Sequence, residues 1–358
     1  MNGQDERQVA FLGFPLDPDE RQESLDHKLA LDGQGAGEDD PYQEVMELIR
    51  QEVDPARWRE EGSLEVPAWL RPMPPAEERE KLLVDNFVEF IDGEGCRAAA
   101  EEAGRHVAEH ILPDIPCLLA VDHCLTGGVL AELARVHSPE NISLVVLDSH
   151  LDAVPVPVTA GAILFDAEHN PSSVYDADNP FLHHRPDSYN ASSFLHHLLD
   201  QGVVLPRNLI VAGLSDYPPK RAFKIKDQRI KDYAGVYSGL KARGAAILTK
   251  KDLAAGTSRF KALLARINTP FVYISIDMDV GAKNALIGVR FDQYVGLSEP
   301  QIYRLAEALR GLLDRGVRLA GLDLTEFNPR WAGGSDPTYR IAANLIRLIL
   351  FGMEPAAA

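Results

Sequence analysis

Five residues able to hold divalent cations sit in two short stretches, Asp148-Ser149-His150-Leu151-Asp152 and Asp277-Met278-Asp279. Each stretch directly follows an apolar, β-branched run: Ile142-Ser143-Leu144-Val145-Val146-Leu147 for the first and Phe271-Val272-Tyr273-Ile274-Ser275-Ile276 for the second. Runs of this length and composition are expected of parallel strands buried on both faces. Alternate side chains of an extended segment share a face, so Asp148, His150 and Asp152 can converge, as can Asp277 and Asp279. A third run, Cys117-Leu118-Leu119-Ala120-Val121, ends in Asp122-His123, ahead of Thr126-Gly127-Gly128 and a helical pattern. Either acidic motif alone reads as well as a turn or helix cap, because Asp side chains satisfy nearby backbone donors. Six candidate ligands on three strand ends point instead to metal: His123, Asp148, His150, Asp152, Asp277 and Asp279.

The ligand types select the metal and the chemistry. Four carboxylates and two imidazoles without a thiolate suit Mn²⁺, with Fe²⁺, Co²⁺, Ni²⁺ or Zn²⁺ as substitutes. Carboxylates bridge and imidazoles do not, so this set is proportioned for two ions roughly 3.5 to 4 Å apart. A hydroxide held between such ions is nucleophilic near neutral pH, and the chemistry expected is hydrolysis.

These residues resemble the marks of the ureohydrolases, the family of arginase, agmatinase and formiminoglutamase. Val121-Asp122-His123-Cys124 looks like the family's Gly-Asp-His-Ser turn, Asp148 to Asp152 like its Asp-Ala-His-x-Asp turn, and Ser275-Ile276-Asp277-Met278-Asp279 like its Ser-x-Asp-x-Asp strand end. Glu326-Phe327-Asn328-Pro329 looks like its late Glu-x-Asn-Pro, and Val9 to Pro15 like its first strand. The resemblance covers roughly residues 81 to 352. It implies that His123, Asp148, Asp152 and Asp277 surround one manganese and Asp148, His150, Asp277 and Asp279 the other, with Asp148 and Asp277 bridging. It also implies that Glu326 pairs with a substrate guanidinium or amidine, a planar donor suited to a carboxylate. Asp152 would orient the bridging hydroxide as it attacks the central carbon of the group. The substrates compatible with this are agmatine, a guanidino acid, a formimino compound or arginine within a peptide. The alternative is a catalytically weak, metal-binding regulatory homologue.

Three departures bear on specificity. Beyond Asp279 the family's Asp-Pro gives way to Val280-Gly281-Ala282-Lys283-Asn284, and Ile287-Gly288-Val289-Arg290 replaces a loop rich in Pro, Gly and Thr. Lys283 and Arg290 thereby bring positive charge to the expected mouth, where they would either receive an anionic substrate group or pair with nearby acids. Ala153-Val154-Pro155 stands where arginases carry an Asn for free arginine, which weakens that substrate. Asn190 falls in the place of the family's proton-shuttling histidine, and Asn exchanges no proton at neutral pH. A substitute would have to come from His183, His184, His196 or His197, although each reads better as an ordinary helix or loop residue.

The elements that must position these side chains follow from the same periodicities. Apolar strand patterns near residues 9, 117, 142, 208, 245, 271 and 317 alternate with helical patterns over 95–110, 128–136, 192–201, 299–315 and 337–351. That alternation implies a parallel sheet covered on both faces. The resemblance sharpens it to a three-layer α/β/α fold with a central, mainly parallel sheet of about eight strands, commonly in trimers or hexamers. The chain is expected to form one such domain over residues 1–358, with residues 27–80 as an inserted helical and Pro-rich arm. A net charge of −18 over 358 residues argues against nucleic acid or an anionic membrane as partner. Three cysteines form no even framework and no apolar stretch reaches about 18 residues, so a cytoplasmic enzyme acting on a small or peptidyl substrate is expected.

Overall fold

The structure, a computed structural model, describes residues 7–30, 39–281, 286–291, 296–332 and 336–355. Eight parallel strands form one sheet: β1 (Val9–Phe14), β2 (Trp58–Ser63), β3 (Ile115–Ala120), β4 (Ile142–Leu147), β5 (Leu209–Leu214), β6 (Ala246–Thr249), β7 (Phe271–Asp277) and β8 (Arg318–Thr325). Their order across the sheet is β2-β1-β3-β8-β7-β4-β5-β6.

The strand sequences explain why both faces are covered. In β4, Val145 and Leu147 enter one apolar core while Ile142, Leu144 and Val146 enter the other, and in β3 Cys117 and Leu119 oppose Leu118 and Ala120 in the same way. A strand apolar on both faces needs a helical layer on each side. One layer holds the helices Pro41–Glu52, Glu299–Asp314 and Thr338–Ile346; the other holds Gly95–His106, Leu125–His137, Phe194–Asp200 and Gln228–Ala242.

Seven strands match apolar runs in the sequence, and the eighth, β2, lies within residues 27–80, expected as a helical and Pro-rich arm without a strand. Its sequence Trp-Arg-Glu-Glu-Gly-Ser carries no apolar alternation because it is an edge strand, half exposed and paired only with β1. The arm returns onto its own core. The Trp58 ring meets Phe11 edge-on at 6.0 Å, and Trp69 meets Phe87 at 5.0 Å. The helices Val156–His169 and Gln228–Ala242 were not expected from the sequence. Their apolar positions spread around the helix instead of forming one stripe, so they carry little periodic signal.

The sheet order has one direct consequence for chemistry. The four strands β3, β8, β7 and β4 are consecutive neighbours at the centre of the sheet. Because all are parallel, their C-terminal ends open on the same edge, where open α/β sheets place ligands.

Candidate metal centre

Each expected ligand sits at one of those strand ends. His123 lies in the turn between β3 and the helix Leu125–His137, Asp148, His150 and Asp152 follow β4, and Asp277 is the last residue of β7, with Asp279 two residues on. Local hydrogen bonds fix the turns. Asp148 accepts the amide of His150 at 2.6 Å, Asp277 accepts that of Asp279 at 2.8 Å, and Asp279 accepts that of Ser149 at 3.1 Å, tying the β7 turn to the β4 turn. Close approach of β5 depends on Gly213, held at φ +120°, since a Cβ there would come within 2.6 Å of the Asp148 carbonyl oxygen.

The side chains form two groups that share Asp148. His123, Asp148, Asp152 and Asp277 make one, and Asp148, His150 and Asp279 the other. The Nδ1 atom of His123 lies 2.9 Å from Asp152, 3.4 Å from Asp148 and 3.5 Å from Asp277. That of His150 lies 2.8 Å from Asp279 and 3.8 Å from Asp148. Burial raises the Asp148 and Asp277 carboxyl groups well above the usual carboxylate range, reinforced by the neighbouring acids and opposed by His123. Burial alone would lower the two imidazoles, but the surrounding carboxylates raise both well above their ordinary value. Asp279 is lowered, with His150 overcoming the cost of burial.

The donor set fits a cation. Among the described residues His123 Nδ1, Asp148 Oδ2 and Asp279 Oδ2 are buried without a hydrogen-bond partner. Unpaired buried polar atoms are rare in folded proteins, and three within two adjoining acid-rich groups call for a positive partner. Behind His123 a chain of polar side chains sets the ring. Nε2 meets Ser275 Oγ at 2.8 Å, Ser275 donates to Asp323 at 2.6 Å, and Asp323 also accepts from Tyr273 at 2.7 Å and Thr126 at 2.9 Å. Hydrogen bonding at one ring nitrogen orients the other toward a ligand. In the sequence Ser275 is only part of a motif, and Asp323 carries no signal beyond an acid inside an apolar strand.

A cavity of about 450 Å³ opens onto the cluster. His150, Asp152, Asp277 and Glu326 border it, beside Val154, Ile163, Phe291 and Tyr233. Asp216, which the sequence did not single out, lies in its wall. Asp216 accepts from the Leu151 amide at 3.1 Å and Tyr237 at 2.8 Å, and burial raises its carboxyl to about 6. Asp152 and Glu326, at φ +52° and +64°, both adopt left-handed backbone. Such conformations are costly for non-glycine residues and concentrate at functional sites.

Glu326 follows β8 and is nearly buried. Its Oε1 accepts from the His123 amide at 3.0 Å and from Arg290 Nη1 at 3.0 Å, while Oε2 makes no hydrogen bond among the described residues. Burial raises the Glu326 carboxyl, with Arg290 opposing. Arg290 is buried as well; its Nη1 also donates to Asp122 at 2.6 Å, and its Nε lies 3.5 Å from Asp17. Of the two outcomes open to this arginine in the sequence, pairing with nearby acids is the one observed. Lys283 lies outside the described residues. Asn190 turns its carboxamide oxygen back onto Ser192 and Ser193, ahead of the helix Phe194–Asp200. His183, His184, His196 and His197 are not among the residues bordering the cavity, and His196 pairs with Asp187 at 3.0 Å.

Solved structures share this architecture. Arginase from Bacillus caldovelox superposes with a TM-score of 0.62 at 15% identity, covering 98% of this chain and 100% of that one. Proclavaminate amidino hydrolase from Streptomyces clavuligerus gives 0.59 at 15%, covering 96% and 90%. Formimidoylglutamase from Bacillus subtilis gives 0.59 at 16%, covering 99% and 90%. In sequence alone, no curated protein matches the chain. A family model described as the Arginase family does match, over residues 81–352, the span that carries every strand end of the cluster, and the chain therefore belongs to the arginase family.

Proposed function

We propose that the chain is a binuclear, manganese-dependent hydrolase that cleaves a C–N bond in a guanidino or amidino compound. The observation that carries this reading is the pair of ligand groups sharing Asp148 at the floor of the cavity. In this reading His123, Asp148, Asp152 and Asp277 hold one ion, and Asp148, His150, Asp277 and Asp279 the other. Two divalent ions there supply Lewis acidity and a water made nucleophilic near neutral pH. Asp152 is assigned to orienting the attacking water, which its place in a ligand group and at the cavity border supports. Glu326 accepts an N–H of the substrate and steadies the tetrahedral carbon as charge redistributes. Lys283 is assigned to an anionic end of the substrate where one exists.

The substrate is drawn from agmatine, a guanidino acid, a formimino compound or arginine within a peptide. Three buried, unpaired cysteines support a reducing, cytoplasmic setting. Among the described residues no helix is long and apolar enough to cross a membrane. The reading extends to a homo-oligomer, trimer or hexamer, without nucleic acid as partner.

Elemental analysis of protein purified without chelator, followed by a urea- and ammonia-release screen over guanidino and amidino compounds with added Mn²⁺, tests the reading. About two ions per chain, lost together with turnover in Asp148→Ala and Asp277→Ala, are expected. One zinc or no metal would sink it. One observation favours a second reading, a catalytically weak regulatory metal-binding protein: Asn190 is engaged in its own turn and cannot exchange protons. Two ions bound without turnover of any compound is the result that selects it.

A further inference from the structure

We propose that Arg290 fixes the substrate specificity of the cavity by occupying one of the two oxygens of Glu326, so that the site takes a group with a single terminal nitrogen, a substituted amidine, in preference to a terminal guanidinium. The proposal rests on the hydrolase reading and narrows its substrate. A guanidinium presents two equivalent terminal nitrogens in one plane, and its strongest partner is a carboxylate with both oxygens free. Glu326 does not offer that. Oε1 already accepts from the His123 amide at 3.0 Å and from the chain's own guanidinium, Arg290 Nη1, at 3.0 Å. Among the described residues Oε2 alone of the two lacks a partner, and Glu326 borders the cavity.

Arg290 is held firmly enough for this role. Nη1 also bonds Asp122 at 2.6 Å, and the Arg290 amide donates to the Glu326 carbonyl at 3.0 Å. The Arg290 carbonyl accepts from Arg21 at 3.2 Å, and Val289 bridges to Phe327. A ligand would have to break a buried, charge-assisted pair to reach Oε1. The neighbouring Phe291 ring covers His150 edge-on at 5.6 Å and forms part of the cavity wall, so the segment that carries Arg290 also shapes the space beside the ligands.

The test compares two cationic probes that differ only at one terminal position, methylguanidinium and N-methylformamidinium, by equilibrium binding to Mn²⁺-loaded protein. The wild type, Glu326→Gln and the charge-matched double variant Arg290→Met with Asp122→Asn are measured side by side. The double variant removes one cation and one anion together, which guards the fold against an uncompensated buried carboxylate. Wild type is expected to bind N-methylformamidinium at least as tightly as methylguanidinium. In the double variant Oε1 keeps the His123 amide but loses the Arg290 donor and can accept one N–H of the probe, so the ratio should move toward methylguanidinium by about tenfold or more, the value of one restored charge-assisted hydrogen bond. A tenfold preference of wild type for methylguanidinium that disappears in Glu326→Gln overturns this inference and leaves the hydrolase reading standing, as does an unmoved ratio in the double variant. Binding of neither probe to any form overturns both.

Discussion

Two buried charged clusters meet at Glu326 and solve opposite problems. On the cavity side, four carboxylates and two imidazoles face one another, and the dominant effect of burial is to push Asp148 and Asp277 toward the protonated form. On the far side, the carboxylates Asp17, Asp19, Asp122 and Glu326 are matched by Lys28, Arg21, Arg290 and Arg330. There burial is just as severe, yet Lys28, Arg290 and Arg330 hold Asp17 below its ordinary value. The first cluster is an acid excess that needs an external cation; the second carries its own cations within the chain. Burial is therefore not what makes a carboxylate cluster a metal site. The missing internal counter-charge is.

The largest expected effect strikes the self-compensated side. Arg290→Met strands Asp122 and Glu326, while Asp17 keeps Lys28 and Arg330, and should cost about 3–5 kcal/mol, the usual loss when one partner of a buried pair is removed. Urea unfolding of metal-free protein measures it. Asp148→Asn in the same metal-free protein should cost little or even stabilise, because it removes one of several like charges. Equal losses from both substitutions would erase the contrast.

Next in size is the response to metal. Mn²⁺ at about a hundredfold over its dissociation constant should stabilise the wild type by about 2.7 kcal/mol for one site. The gain should vanish in Asp148→Asn and persist in Arg290→Met with Asp122→Asn. Thermal melts with and without chelator decide this, and a gain lost in both variants would mean that the two clusters are not separable.

The cavity-side cluster was legible in the sequence because its acids and histidines lie on strand ends announced by apolar runs, at spacings that turn them to one face. The strand C-termini that carry Asp148 and Asp277 fall within a residue of the expected place. The compensated side was not legible. Arg290 and Asp122 are 168 residues apart, and only the loop geometry after β3 and β7 brings them together. An arginine in a loop has no periodicity to reveal that it is buried. The strand β2 escaped for a related reason: an edge strand facing water needs no apolar alternation. Asn190 could be aligned with the shuttle position but not oriented, since whether its carboxamide faces a cavity or closes a turn depends on neighbours such as Ser193.

A smaller effect tests the polar chain behind the ligands. Ser275→Ala removes the contact to His123 Nε2 and takes from Asp323, which burial already raises above its ordinary value, one of its three donors. Metal affinity should fall about 10- to 100-fold, as it does when partners behind a metal-binding histidine are lost. Competition against a chelating dye measures it, and an unchanged affinity would show that the ring is held by packing against Phe194 instead.

The two clusters should also differ in the sign of their pH dependence. In metal-free protein, His123 and His150 bind protons more tightly than they do in the unfolded chain. Their contribution is complete below the unfolded value near 6.5 and is lost as pH rises through the higher folded values. Asp148 and Asp277, also raised, act in the same direction from their own unfolded values upward, whereas Asp279, lowered, acts in the opposite direction in acid. Asp17, lowered, gives stability that is present above its unfolded value of 3.8 and lost as pH falls below it. Chelated protein should therefore lose stability on the alkaline side of about pH 6.5, by up to about 1.4 kcal/mol per pH unit for each net proton released. Mn²⁺ replaces those protons, so its affinity should climb with pH over the same interval and flatten the alkaline limb. The part of the acid limb that Asp17 contributes should remain with or without metal. A chelated protein whose stability does not change between about pH 6.5 and 9 would mean that the two histidines do not feel the carboxylates around them, and the acid excess on the cavity side would lose its support.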